Sequence, residues 1–336
     1  MSGGYSLAGG PELDRVIDAH LAGIRDHLLS LLPPTELDCL ALGGGYGRGD
    51  GGVVATADGP RPYNDYDLVL IHHVRDRARL DAALAAVQRD EGARCGIHVD
   101  ITPIARARVP RLPPALTWFE FGVGHRVVWG DATAVAPLAT RTLADVHPSE
   151  WGRLLTNRAA GLVFARRALA GEACAVRGNE DPRPFIERQL QKAWLAYGDV
   201  QLADRGLYHP RVAERLRAAE GLVEPWIARW REAAGFKRSP RAPRALADLG
   251  ADLATLTPSM TRGLLARDAA PARRLYGLLC TARHLPPSRW LASAPWRYPR
   301  ERVRLACAAE LAGDAAARDR LCGSAAGLVA LWSRFG

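Results

Sequence analysis

The sequence contains no apolar stretch approaching the ~20 residues that a membrane-crossing helix requires. Its first fifteen residues, MSGGYSLAGGPELDR, lack the basic and apolar regions of a secretory signal. Six cysteines (39, 95, 174, 280, 307 and 322) are scattered without a CxxC pair. That spacing points to neither a zinc site nor a disulfide framework, and a reducing, cytoplasmic setting is expected. Lysine is almost missing: it occurs at 192 and 237, and every other basic residue is arginine. With abundant alanine and glycine this looks like codon bias, so the net charge of +9 carries little weight as a nucleic-acid signal. The arginines are dispersed and form no basic run, which argues in the same direction. No repeat of fixed period and no low-complexity tail is present.

What is present suffices for two packed cores: 336 residues, 48% of them hydrophobic. The most informative stretch runs from 43 to 70, GGGYGRGDGGVVATADGPRPYNDYDLVL. A short apolar run, Cys39-Leu40-Ala41-Leu42, stops at glycines, as a strand does when it enters a turn. Glycine leaves such a turn free to adopt positive φ and to approach a ligand closely. Its bared amides can cradle phosphate oxygens, with Arg48 adding positive charge. A second apolar run starts directly after Asp65-Tyr66-Asp67. Alternate strand residues share a face, so Asp65 and Asp67 project together. Two such carboxylates repel unless a cation lies between them, and a hard divalent ion, Mg²⁺ above all, suits oxygen ligands. A third acid, Asp100, lies in another strand-like run, His98–Thr102, after a helical stretch at 77–89. That interval leaves room for a return strand beside the first.

In this order of parts the chain resembles the DNA polymerase beta-like nucleotidyltransferase superfamily: a glycine turn, an Asp-x-Asp strand and a third acid on a later strand. The resemblance covers roughly the first 135 residues. Residue by residue it places Gly44, Gly45, Tyr46, Arg48 and Gly49 on the nucleotide-binding turn. It places Asp65, Asp67 and Asp100 as catalytic residues and metal ligands, Asp100 either holding a second ion or acting as base. Gly45 stands where the family commonly has serine, and 51–62 reads as an inserted loop. The implied fold is an α/β (α+β) domain with a small mixed sheet over 1–135, followed by an all-α domain over 148–336. The implied chemistry is Mg²⁺-dependent transfer of a nucleotidyl group, AMP first among them, from an NTP to a hydroxylated small molecule, with two ions. The plan is closest to antibiotic-type nucleotidyltransferases, with the acceptor expected between the domains. Two alternatives remain: an RNA-end or protein nucleotidyltransferase, and a non-catalytic binding protein of antitoxin type. Gly49 separates Arg48 from Asp50, unlike the adjacent Arg-Asp pair of tRNA-tailing enzymes.

Elsewhere, apolar periodicity predicts a first helix over 11–32 and a last strand over 125–129. Beyond about 148 it predicts helices at 148–170, 182–205, 210–234, 242–256, 270–284, 300–313 and 315–334. On the second of these, Lys192 is a candidate contact to the nucleotide phosphates, because a compact ammonium does what a guanidinium cannot. Glu120, in WFEF, is a candidate general base. His98 shares a face with Asp100, whereas His72 and His73 point oppositely and cannot grip one ion.

Overall fold

The computed structural model describes residues 4–172, 181–269, 278, 282 and 299–335. The chain divides into two compact units. The first comprises Met1–His147 with Leu207–Glu220 and Gly235–Pro240; the second comprises Pro148–Gly206, Gly221–Ala234 and Arg241–Gly336. A single cut near residue 148 would have given those two short segments to the helical half.

The first unit is mixed α/β. Helix α1 (Gly10–Leu31) starts at a proline and buries Leu13, Ile17, Leu21, Ile24 and Leu28, one residue per turn along one face. Strands β1 (Leu37–Leu42), β4 (Asp65–His72), β5 (His98–Ala105) and β6 (Arg126–Gly130) form one sheet in the order β5-β4-β1-β6. β1 pairs antiparallel with β4 and β6, while β4 and β5 run parallel. Helix α3 (Arg77–Cys95), capped by Asp76, makes the crossover between the parallel pair. Alternation along the strands divides the core in two. Leu40, Leu42, Tyr66, Leu68, Val99 and Ile101 face α1 and α3. Cys39, Ala41, Val69, Ile71 and Ile104 face the other way, packed with Phe121 of α4 (Leu116–Val123) and Leu138 of α5 (Ala136–Ala139).

Residues 51–62 are not an irregular loop. They hold a hairpin of β2 (Gly52–Thr56) and β3 (Gly59–Tyr63), closed by Ala57-Asp58, with Gly59 at φ +106°. Asp-Gly after a β-branched run is a hairpin signal in its own right. The glycine turn is likewise more regular than expected, a five-residue helix α2 (Gly44–Arg48).

Every element of the second unit's described residues is helical: α6 (Ser149–Leu169), α7 (Arg183–Asp204), α10 (Leu246–Leu265), α11 (Pro299–Leu311), α12 (Ala315–Cys322) and α13 (Ala325–Phe335). Two helices drawn as continuous from periodicity are broken. The stretch 210–234 becomes α8 (Val212–Ala218) and α9 (Ile227–Arg238), interrupted where Gly221 adopts φ +80° and Pro225 follows. The stretch 315–334 breaks at Gly323, φ +86°. The helix expected over 270–284 lies outside the described residues apart from two positions. Helix α7 buries more polar groups than a single apolar stripe would. Glu187, Gln191 and Asp199 are all buried, Asp199 accepting a hydrogen bond from Trp230 Nε1 at 3.0 Å. Arg244 forks onto Glu187 and Asp252, so these interior carboxylates are paired.

Candidate active site

The site is assembled at the end of β1 and the start of β4. Gly43 N–H donates to Asp67 O at 2.7 Å, tying the turn to the strand beside it. Gly44 follows at φ +59°, and a Cβ there would collide with the Asp67 carboxylate, so only glycine fits. The first amides of α2 have no helical partners and lie beside Asp67.

Asp65 and Asp67 share the sheet face that carries Val69 and Ile71. On the parallel neighbour, Asp67 stands opposite Asp100, and Asp65 opposite His98. The three carboxylates therefore occupy one face of two adjacent strands. All three are open to solvent, yet Asp67 sits low among its neighbours. Burial pushes its carboxyl up to about 6, reinforced by Asp65 and Asp100 and opposed by Arg48 and Lys237. Among the described residues no three His, Cys, Asp or Glu side chains are gathered as a ready-made metal cage. Asp65 and Asp100, which add to the rise that burial causes at Asp67, are hard oxygen donors of the kind a divalent cation takes. Mg²⁺ in particular takes one or two carboxylates, its other positions going to water and phosphate.

Two nucleotide contacts read from the sequence take different roles. Tyr46 is buried, and its hydroxyl is occupied by the hairpin: it accepts from Tyr63 N–H at 2.7 Å and lies 2.6 Å from Gly52 O. Its hydroxyl anchors the hairpin. Arg48 is held from the opposite side, its Nη1 donating to Glu120 Oε2 at 3.2 Å. The Arg48 Nε is buried with no hydrogen-bond partner among the described residues. Gly45 has room where the resembling family has serine: a Cβ there would meet Asp50 O at 3.5 Å, an ordinary contact.

Glu120 also accepts from the Tyr208 hydroxyl, and the Arg215 guanidinium lies 5.2 Å over the Tyr208 ring. Burial drives the Glu120 carboxyl up, but Arg48, Tyr208, Arg215 and Lys237 together more than offset it, so it is held below its ordinary value. A carboxylate so stabilised is a poor general base. Glu120 instead anchors Arg48 and the 207–220 segment. Asp50, 2% exposed, does the same from the turn, accepting from Val212 N–H at 2.9 Å.

The lysine beside the carboxylates in this unit is Lys237, in the last turn of α9, whose charge favours the ionised forms of both Asp67 and Glu120. Its backbone packs on the hairpin, since a Cβ on Gly52 would meet Lys237 O at 2.7 Å. Lys192 belongs to the second unit, half-buried on α7. Lys192 is the lysine singled out from the sequence, although the rarity of lysine marks Lys237 as well. Tyr208 and Arg215 carried no sequence signal at all. His98 is exposed at the head of β5, in a surface groove with Gln88, Arg89, Gly92, Gly96 and Ile97. No protein-family model matches the chain, and no curated protein matches it.

Proposed function

We propose that the protein is a Mg²⁺-dependent nucleotidyltransferase that moves an NMP, AMP foremost, from an NTP to a hydroxyl of a small-molecule acceptor. One observation carries this reading: Asp65, Asp67 and Asp100 share a face of two parallel strands, with the glycine turn packed directly against Asp67. The Asp67 carboxylate, whose ionisation burial and then the neighbouring Asp65 and Asp100 oppose, gains from a divalent partner. Asp65 and Asp67 would hold the ion, and Asp100 would serve as a further ligand or as the proton acceptor. Bound Mg²⁺ supplies charge neutralisation at the phosphates.

The remaining chemistry belongs to the chain. The amides of the glycine turn bind polyphosphate oxygens next to Asp67. Lys237 lends positive charge to the same place, where negative charge grows on the departing pyrophosphate. In the reaction the acceptor oxygen bonds to the α-phosphorus, the bond from that phosphorus to the bridging oxygen breaks, and pyrophosphate leaves. The hydroxyl proton passes to a carboxylate oxygen of Asp100, which is exposed. Glu120 stays charged throughout and holds Arg48 in place.

The test is incubation with each labelled NTP, Mg²⁺ and a library of hydroxylated metabolites, read by mass spectrometry, beside Asp65→Asn and Asp67→Asn. Expected is one acceptor heavier by a nucleotidyl group, lost in both variants. Turnover unchanged in both variants refutes the assignment. Label appearing on added RNA ends or on protein redirects the acceptor and keeps the chemistry.

A further inference from the structure

Among the described residues one non-glycine adopts positive φ: Asn64, at +91°. It stands between two fixed points. On one side Tyr63 is clamped by the buried Tyr46 hydroxyl, which accepts its N–H at 2.7 Å and lies 2.9 Å from its carbonyl. Tyr46 belongs to α2, so the clamp joins the hairpin to the glycine turn. On the other side Asp65 opens β4 in register with His98. Asn64 is the single residue between the end of β3 and the start of β4.

Resting on the nucleotidyl-transfer reading above, we propose that Asn64 is a positioning residue whose left-handed backbone aims the Asp65 carboxylate. The left-handed region is open to glycine and tolerated by asparagine, while other L residues pay for it in sterics. A residue that rejects this conformation must shift one neighbour. The Tyr63 side is held by a buried hydroxyl with no room to move, so the displacement falls on Asp65. The Asn64 side chain makes no hydrogen bond in the described structure, so the backbone carries the role and the carboxamide does not. Strain of this kind persists where surrounding contacts over-determine it, and here the turn and the first carboxylate of the pair supply those contacts.

The experiment uses the full chain and Mn²⁺ as a probe of the carboxylate pair, with a non-hydrolysable NTP present and binding followed by water-proton relaxation. Asn64→Gly is expected to bind Mn²⁺ within about twofold of wild type, and Asn64→Ala about tenfold more weakly. Asn64→Val, branched at Cβ, should be weaker still, and turnover should follow the same order. Melting curves accompany each variant, and if Asn64→Val does not fold, the alanine–glycine pair decides. Wild-type binding by Asn64→Ala overturns the proposal. So does Asn64→Gly binding as weakly as Asn64→Ala, which would make the carboxamide the active part. If wild type and Asp65→Asn alike fail to bind the Mn²⁺–nucleotide complex, the nucleotidyl-transfer reading itself falls before the Asn64 variants are compared.

Discussion

Asp67→Asn should make the protein more stable at neutral pH while abolishing the proposed nucleotidyl transfer. The Asp67 carboxyl is raised from an ordinary 3.8 to about 6, by burial first and then by Asp65 and Asp100. Folding therefore opposes its ionisation. Between these two values the folded chain binds a proton that the unfolded chain has released, so stability falls as pH rises through about 6. At 1.36 kcal/mol per pKa unit the full penalty at pH 7.5 is about 3 kcal/mol. The carboxylate is open to solvent, and screening reduces this to about 1 kcal/mol. Asparagine removes the charge at nearly constant shape and sacrifices no hydrogen bond, because the carboxylate makes none in the described structure. Differential scanning fluorimetry from pH 4.5 to 8 reads the result. At pH 7.5 the variant should melt about 2–5 °C higher. The gap should close as pH falls below 6, where wild-type Asp67 takes up its proton. Mg²⁺ should raise the wild-type midpoint and leave the variant's in place, since a ligand stabilises only a fold that binds it. A variant less stable than wild type at pH 7.5, or a gap of equal size at pH 5, refutes the electrostatic account.

Lys237→Ala should raise the apparent KM for NTP and lower kcat, by about tenfold for each ~1.4 kcal/mol of phosphate stabilisation lost; the same substitution at Lys192, measured in parallel, tells which lysine serves the nucleotide. Glu120→Gln should leave Arg48 short of its charged partner, lowering kcat about tenfold with a nearly unchanged far-ultraviolet spectrum, whereas a shift in the acidic limb of the pH profile would reinstate it as a base. Gly47→Ala should destabilise the first unit by about 2–3 kcal/mol in urea titration, because a Cβ there would lie 2.5 Å from Leu42 O and 2.7 Å from Gly124 O. Gly45→Ser should be tolerated in the same titration, there being room for its Cβ.

The parts of the site that share one strand or one turn were legible in the sequence. Asp65 and Asp67 share a face because strands alternate, and the glycine run had to be a turn. The position of Asp100 followed from the space for α3 between parallel strands, and Asp100 does stand opposite Asp67. What escaped was set by contacts between distant segments. Tyr46 sits inside the glycine motif, yet its hydroxyl is spent on Gly52 and Tyr63 backbone, a pairing that only the folded hairpin creates. The hairpin itself could have been read from Val53-Val54 and Asp58-Gly59, and it was hidden by the prolines at 60 and 62. Periodicity ran through Gly221 and Gly323 because a 3.6-residue pattern can resume in phase after a break. Glu120, read as a candidate base, and Asp50, given no role, became interior anchors because Tyr208 and Val212 arrive from 88 and 162 residues further on, respectively.

The late segments of the first unit bring positive charge to β4 and its neighbours. Three carboxylates face one way, and Arg48, the single cation the glycine turn provides, is already committed to Glu120. Left alone, that arrangement holds an excess of negative charge, and a polyphosphate would add more. Segments 207–220 and 235–240 bring Arg215 and Lys237, which act on Glu120 and, for Lys237, on Asp67 as well. In the proposed reaction the divalent ion and Lys237 share the neutralisation, the ion at the carboxylates and Lys237 nearby, while Arg215 acts on Glu120. A lysine suits that place in an arginine-rich chain, since a compact ammonium adds charge without forking onto Asp65 and Asp67 and closing them to a metal.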